Sequence, residues 1–229
     1  MAIHQPNYLP WLGYFYKITR ADTFIFLDDA QYSKNSFINR VRVLGPNGAK
    51  WLTIPVSVHL GDSINEVWPA QEDWPCRHLD TLFNFYRSSG SFRQVWPQIE
   101  NLYQGVSNSD LVSINSHLIK GITDLLGLSC RFLLASRFSV NGVPSDDRLV
   151  ALVSAVDPSA TYLSGRGAAS YQNPDKFLTA GSGFEYIDFQ HPHYDQQGDC
   201  FVSGLSVLDA VFRLGWRRTA DLIQASNRA

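Results

Sequence analysis

The sequence opens with MAIHQPNYLPWLGYFYKI, residues 1–18, which predicts a strand, a loop and a helix in direct succession. Residues 1–3 are apolar and are followed at once by a polar, proline-containing stretch. Pro10 precedes residues 11–18, whose apolar side chains recur at helical spacing, and proline is well suited to the first turn of a helix. Residues 23–27, TFIFL, form a β-branched and aromatic run that is typical of a strand buried on both faces of a parallel sheet.

The remainder of the chain continues this alternation after an interruption. Residues 37–44 and 50–58 predict two strands joined by Gly45-Pro46-Asn47-Gly48, where Asn-Gly is a strong hairpin signal. Further elements are predicted as helices at 78–86, 92–103 and 111–126, a strand at 130–136, a helix at 146–156, strands at 161–163 and 184–189, and helices at 205–214 and 219–225.

These patterns predict one α/β domain over residues 1–229. Its sheet is expected to be mostly parallel with helices on both faces, a Rossmann-like three-layer arrangement. A β-hairpin and a helical segment occupy the middle of the chain. That helical segment, residues 72–128, is either a helical layer or an insertion.

Composition narrows the classes of protein that fit. The formal net charge of −2 gives no global basic field that would attract nucleic acid or an anionic membrane. No apolar run approaches the length of a membrane span, so we expect a cytoplasmic protein without a membrane partner. Cys76, Cys130 and Cys200 show no paired spacing, which argues against a disulfide framework and a structural zinc site.

The ends of the predicted strands indicate where the functional site lies. Ligands of open α/β sheets bind beyond the carboxyl ends of the strands, where loops and helix N-termini converge. This rule selects residues 4–11, 28–40, 164–171 and 190–194, which we expect to share one cleft.

Three side chains in these segments are candidates for catalysis. His4 is the first choice for a general base, since imidazole exchanges a proton near neutral pH; the alternative is a histidine that fixes the loop. Asp28 would orient His4, hold an ammonium group or bind a metal, or else serve as a cap or turn residue. His191 is a candidate for a second acid or base, although His191 and His193 are better explained as exposed or capping residues.

A larger set is predicted to bind the substrate. The cations and amides suit a phosphate or carboxylate, and the aromatic rings would line a pocket or belong to the core. Residues 164–167 form either a ligand loop or a simple tight turn. The predicted substrate-binding residues are Gln5, Asn7, Tyr8, Trp11, Asp29, Tyr32, Lys34, Asn35, Asn39, Arg40, Ser164, Gly165 and Arg166.

Several stretches resemble the WbqC-like protein family. They are HQPNYLPWLGYF at 4–15, FLDDAQYSKNSFINR at 26–40, WLTIPV at 51–56, TYLSG at 161–165, DFQHP at 188–192 and LSVLD at 205–209. The stretches run in order along nearly the whole chain. One departure follows Gly165, where the family has a glycine-rich segment and this chain reads RGAASY.

The resemblance implies a bacterial protein encoded with machinery for surface polysaccharides or small natural products. For some members it implies transfer of glycine or another acyl group onto an amine. The leading hypothesis is therefore an acyl or aminoacyl transferase that acts on an amine of an amino sugar or natural-product intermediate, with aminoacyl-tRNA as a candidate donor. A near-neutral charge disfavours a large tRNA footprint.

Two other classes remain open. One is a nucleotide-sugar-dependent enzyme or glycosyltransferase, and the other is a non-catalytic binding protein. The sequence specifies no cofactor, metal or oligomeric state.

Overall fold

The computed structural model describes residues 1–106, 108–140, 145–170, 172–198 and 200–226, with only the backbone of Ser145. Its strands are β1 (Ala2–His4), β2 (Thr23–Phe26), β3 (Arg40–Gly45), β4 (Gly48–Thr53), β5 (Val56–Ser57), β6 (Trp68–Pro69), β7 (Arg131–Leu134), β8 (Thr161–Gly165) and β9 (Gly183–Ile187). Its α-helices are α1 (Leu12–Thr19), α2 (Trp74–Tyr86), α3 (Phe92–Gln104), α4 (Leu111–Leu125), α5 (Ser145–Val156), α6 (Pro174–Thr179), α7 (Val207–Leu214) and α8 (Trp216–Ala225).

The main sheet is parallel and has the strand order β7-β2-β1-β8-β9. The chain builds outward from β1 through β2 to β7, then returns to the other side of β1 to add β8 and β9. This reversal creates a switch point between β1 and β8, where the two strands pair at Ala2 and Leu163. The predicted mostly parallel sheet is confirmed.

Side chains of the sheet alternate between two apolar layers, as the period of a strand requires. Ala2, Phe24 and Phe26 lie in a large cluster with residues of α1, α4 and α7. Ile3 and Ile25 lie in a second cluster on the opposite face, which includes residues of α5 and α6. Helices therefore cover both faces, and the predicted three-layer arrangement is confirmed.

The middle of the chain contains the expected hairpin, but its strands are shorter than predicted. β3 and β4 pair from Arg40–Thr53 to Gly45–Gly48. Pro55 has no N–H to donate, and the chain beyond it turns away so that β5 pairs with β6 instead. The predicted extension of the second strand to residue 58 is therefore wrong, and residues 37–39 form a turn.

The helical segment shares its core with the sheet. Leu82 of α2, Ile99 of α3 and Leu118 of α4 are buried in the same cluster as Phe15 and Phe26. α2 begins at Trp74, four residues before the predicted start, with Pro75 in its first turn. Within the described residues, no helix combines the length and apolar character needed to span a membrane.

Candidate functional site

A cavity of about 650 Å³ opens at the switch point, between the carboxyl ends of β1, β8 and β9 and one face of α1. Its volume falls in the range typical of small-molecule sites. We call it the switch-point cavity. It is lined by Ile3, His4, Trp11, Gly13, Tyr14, Lys17, Leu27, Asp146, Leu149, Tyr162, Ser164, Gly165, Arg166, Gly167, Ala168, Gln172, Ile187, Asp188 and Phe189.

His4 ends β1 and faces this cavity. Its Nδ1 lies 3.0 Å from the carbonyl oxygen of Gln5. Because a carbonyl can only accept, Nδ1 carries the proton and Nε2 carries the lone pair. Burial, with a further contribution from the positive charge of Lys17, lowers the pKa of His4 to about 4. The imidazole is therefore neutral at physiological pH and presents a proton acceptor.

Lys17 lines the same cavity as His4 and was not among the site residues predicted from the sequence. It is buried on α1, and its Nζ donates to the carbonyl oxygen of Ile3 at 2.9 Å. The same Nζ lies 5.9 Å from the centre of the Tyr162 ring. Burial lowers the pKa of Lys17 to about 8. Among the described residues Lys17 forms no ion pair with a carboxylate.

One signal in the sequence points to Lys17. It is a single lysine within the aromatic helix LGYFYKIT, three residues after Tyr14 and four after Gly13. That spacing places the three residues on one face of α1, which is the face that lines the cavity.

The opposite wall comes from the loop that follows β8. The Ser164 hydroxyl is buried and donates to Oε1 of Gln172. Gly165 precedes a 3₁₀ helix over Arg166–Ala168. Arg166 is exposed and pairs with Asp188 at 3.2 Å. Ser164, Gly165 and Arg166, all predicted to bind substrate, thus line the same cavity as His4; Tyr171 lies outside the described residues.

Aromatic rings form the rim of the cavity. The ring of Trp11 packs edge-to-face on Phe189, with centroids 5.4 Å apart, and lies close over Gly13. A Cβ at Gly13 would lie 2.7 Å from the Trp11 ring and 2.9 Å from Phe189. Trp11 was predicted to contact substrate and lines the cavity; Gly13 allows it to do so.

His191 lies behind this rim. Its ring stacks on Trp11 with centroids 6.0 Å apart, and its Nε2 accepts a hydrogen bond from the Gly204 N–H at 2.8 Å. Burial lowers the pKa of His191. His191 therefore contacts Trp11, which lines the cavity, but does not line the cavity itself. No group of three or more His, Cys, Asp or Glu side chains suited to a metal occurs within the described part of the chain.

The two predicted aspartates do not line the cavity. Asp28 is buried, and its Oδ1 accepts from the Ser136 N–H at 3.0 Å, at the start of the 3₁₀ helix Ala135–Arg137. Asp29 pairs with Arg148 of α5. The two aspartates lie in the turn that follows β2, and each finds a partner in a different element.

Three residues of the first loop that were predicted to bind substrate instead contact other parts of the protein or are buried. The Gln5 carbonyl oxygen accepts from both His4 and the Tyr14 hydroxyl. Asn7 is buried, and Tyr8 is fully buried in the core, where its hydroxyl lies 2.7 Å from Nδ1 of His78. None of the three lines the switch-point cavity.

The remaining predicted residues line a second cavity of about 470 Å³ beside the hairpin. We call this the hairpin cavity. The residues predicted from the sequence that line it are Tyr32, Lys34, Asn35, Asn39 and Arg40. The four expected loops therefore do not share one cleft. Residues 4–11 and 164–168 contribute to the switch-point cavity, residues 28–40 contribute to the hairpin cavity, and residues 190–194 line neither.

Together, the strand order and the cavity define a doubly wound α/β protein with a ligand-sized pocket at its switch point. The chain belongs to the WbqC-like protein family, whose model matches residues 5–221. It is also 29% identical over 218 residues to the uncharacterized protein Rv1507c of Mycobacterium tuberculosis, with 94% of each chain covered. No solved structure matches the chain.

Proposed function

We propose that the switch-point cavity catalyses transfer of an acyl or aminoacyl group from an activated donor to an amine. The observation that supports this proposal is the pairing of a neutral His4, whose Nε2 is a proton acceptor, with the buried cation of Lys17 in one cavity. A base and a cationic donor side by side are what amide formation from an ester requires.

The reaction needs two complementary functions. As the amine nitrogen bonds to the carbonyl carbon, the carbonyl oxygen becomes negative and Lys17 Nζ stabilises that charge. The nitrogen becomes strongly acidic as the C–N bond forms, so even a weakly basic imidazole takes its proton at Nε2. Collapse of the intermediate breaks the bond between the carbonyl carbon and the leaving oxygen, which receives the proton from His4.

The charge of Lys17 also determines the protonation state in which the acceptor amine binds. A buried cation disfavours binding of a second cation in the same cavity, so the amine binds neutral and with its lone pair available. The polar groups of Ser164, Asp146 and Gln172 suit the hydroxyls of a sugar, and the apolar surface of Trp11 and Phe189 suits a sugar ring. An amino sugar therefore fits this cavity as the acceptor.

The test is an amide-formation assay with purified protein. Glycyl-tRNA, other aminoacyl-tRNAs and acyl thioesters are combined with amino sugars, and the amide product is detected by mass spectrometry. We expect His4→Gln and Lys17→Met to lower the rate by roughly 100-fold each. His59→Gln, at an exposed histidine outside the cavity, is the matched control. Absence of product from every donor, or full activity of both cavity variants, would overturn the proposal.

The strand order favours a second candidate, a nucleotide-sugar-dependent enzyme. A switch point in this order is where many doubly wound proteins bind a nucleotide, and the residues of the 3₁₀ helix after Gly165 line the cavity. Thermal denaturation with UDP-sugars and GDP-sugars tests it. A strong rise in Tm that is lost in Lys17→Met would support this class over acyl transfer.

A further inference from the structure

The hairpin cavity has the charge of an anion site. Lys34 and Arg40 line it, and among the described residues no Asp or Glu does. The rest of the chain carries slightly more acidic than basic residues, so a cavity with two cations and no carboxylate differs from the average surface. Such a cavity attracts a phosphate or carboxylate.

Arg40 is held in place before any ligand arrives. Its guanidinium stacks on the Trp51 ring at 4.2 Å, and its Nη1 donates to Oδ1 of Asn35 at 3.3 Å. Its Nη2 donates to the Asn35 backbone oxygen. The Nε–H has no hydrogen-bond partner among the described residues. A fixed guanidinium with an unused N–H is suited to a planar or tetrahedral anion.

Asn39 provides an independent indication of a missing partner. Its side chain is 6% exposed and lines the cavity, and its Nδ2 donates to the Ile54 carbonyl at 2.9 Å. That bond fixes the orientation of the amide, because a carbonyl can accept only from the nitrogen. The Asn39 Oδ1 is then a buried acceptor with no donor among the described residues. Buried acceptors are rarely left unpaired, so a ligand hydroxyl or N–H is expected there.

Two exposed aromatic rings lie outside the lining of the hairpin cavity, and one of them, Trp51, stacks on the Arg40 guanidinium. Phe37 and Trp51 are each 47% exposed, and their ring centroids lie 5.9 Å apart. Exposed apolar side chains that lie next to one another form a patch of the kind that marks a binding site. Aromatic rings beside cations are the combination by which proteins hold nucleotides, since the base stacks while the cation binds phosphate.

We infer that the hairpin cavity is a nucleotide site, separate from the switch-point cavity, in which Arg40 and Lys34 bind a phosphate and Trp51 and Phe37 contact the base. The Asn39 Oδ1 accepts a hydrogen bond from a hydroxyl or amino group of the same ligand. A free nucleoside monophosphate and the end of a nucleic acid strand share this chemistry.

The test is titration of the full-length protein with AMP, CMP, UMP and GMP by calorimetry, with inorganic phosphate, ribose 5-phosphate and a five-nucleotide single-stranded RNA as further arms. At least one nucleotide is expected to bind at least ten-fold more tightly than inorganic phosphate or ribose 5-phosphate. Tighter binding of the RNA than of any mononucleotide would identify a strand end as the ligand, and equal binding would identify the free nucleotide.

Variants connect the binding to this cavity. We expect Trp51→Leu to weaken nucleotide binding roughly 10-fold. Arg40→Gln is expected to weaken nucleotide binding by roughly 10-fold or more, because a charge-assisted contact with the phosphate is lost. Lys50→Gln is the matched control, since Lys50 is next to Trp51 on β4 but points to the other face of the hairpin, where its Nζ lies 5.9 Å from the centre of the Phe85 ring.

Three results would overturn the inference. The first is no binding of any nucleotide by a protein whose circular dichroism is native. The second is binding of inorganic phosphate or ribose 5-phosphate as tight as that of nucleotides, which would indicate an anion site without base contacts. The third is loss of binding in Lys17→Met but not in Trp51→Leu, which would place the nucleotide in the switch-point cavity.

Discussion

Lys17 Nζ donates a hydrogen bond to the main-chain oxygen of Ile3, 2.9 Å away, and Ile3 immediately precedes His4 in the first strand. A helix that follows β1 thus returns a cation to the carboxyl end of the same strand. Burial and the positive charge of Lys17 together lower the pKa of His4 to about 4.

The first prediction concerns the reactivity of the Lys17 amine. Burial lowers its pKa to about 8, so a large share of this amine is unprotonated at pH 8 while surface lysines remain charged. Brief acetylation with limiting acetic anhydride at pH 6 to 10, followed by peptide mass spectrometry, should give a midpoint near 8 for Lys17. The exposed Lys50, followed in the same samples, is the internal reference for reagent and pH. Acetylation of Lys17 that increases over the same pH range as that of Lys50 would mean that the Lys17 amine is not desolvated.

The second prediction concerns the charge coupling between Lys17 and His4. Lys17→Met keeps the length and apolar volume of the side chain but removes the charge. The pKa of His4 should then rise above 4, yet stay below the ordinary 6.5 because burial is the larger cause. Titration of the His4 ring by NMR measures the change. A pKa of His4 that is identical in the variant would show that the two groups do not interact.

The fold could be predicted because its signals are local. The apolar run of β2 and the helical spacing of α1 depend only on neighbouring residues, and both appear where expected. Boundaries set by contacts between distant segments were less accurate. α8 begins at Trp216 rather than Thr219, directly after Gly215, whose φ of 81° allows the chain to turn between two helices.

The functional site could be predicted only in part, because some of its contacts join residues that are distant in the sequence. His4 and Ser164 end neighbouring strands, and the rule for strand ends brings them to one cavity. Asp28 also follows a strand, and Leu27 before it does line the cavity, but Asp28 is used to bind the Ser136 N–H. Tyr8 is a core residue, and its hydrogen-bond partner His78 lies 70 residues away in the sequence. No local pattern in the sequence indicates such a contact.

The third prediction tests the rim of the switch-point cavity. Gly13→Ala would place a Cβ 2.7 Å from the Trp11 ring, so Trp11 must move and the shape of the cavity must change. Overpacking of this kind costs about 1–3 kcal/mol of the free energy of unfolding. Urea denaturation and the Trp fluorescence spectrum should both change. Gly167→Ala is the control, because nothing lies within 4 Å of a Cβ at that position; equal stability of the two variants would contradict the packing of Trp11 over α1.

The fourth prediction concerns stability in acid and rests on His78. Its Nε2 lies 3.0 Å from the carbonyl oxygen of Thr53 and therefore donates to it, so Nδ1 accepts the hydrogen bond of the Tyr8 hydroxyl. Burial lowers the pKa of His78 in the folded protein to about 4, against 6.5 in the unfolded chain.

The sign follows from where the proton binds. The unfolded chain takes up a proton at His78 before the folded protein does, so the stabilising contribution of the neutral ring is present above pH 6.5. It is lost progressively as the pH falls from 6.5 through 4. The full loss from this one group is roughly 3 kcal/mol. His78→Phe should lower stability at pH 7.5, since Tyr8 and Thr53 lose a partner, but its unfolding free energy should fall less steeply between pH 6.5 and 4 than that of the wild type.

Urea denaturation at half-unit pH steps measures this difference, and His59→Gln, at an exposed ring, corrects for any general effect of losing a histidine. The carboxylates titrate alike in all three proteins, so subtracting the curve of the variant from that of the wild type isolates His78. Parallel curves for wild type and His78→Phe would mean that the ring can be protonated without breaking its contact with the Tyr8 hydroxyl. In that case the hydrogen bonds from Tyr103 through Tyr8 to His78 would persist in acid, and His78 would not contribute to the loss of stability there.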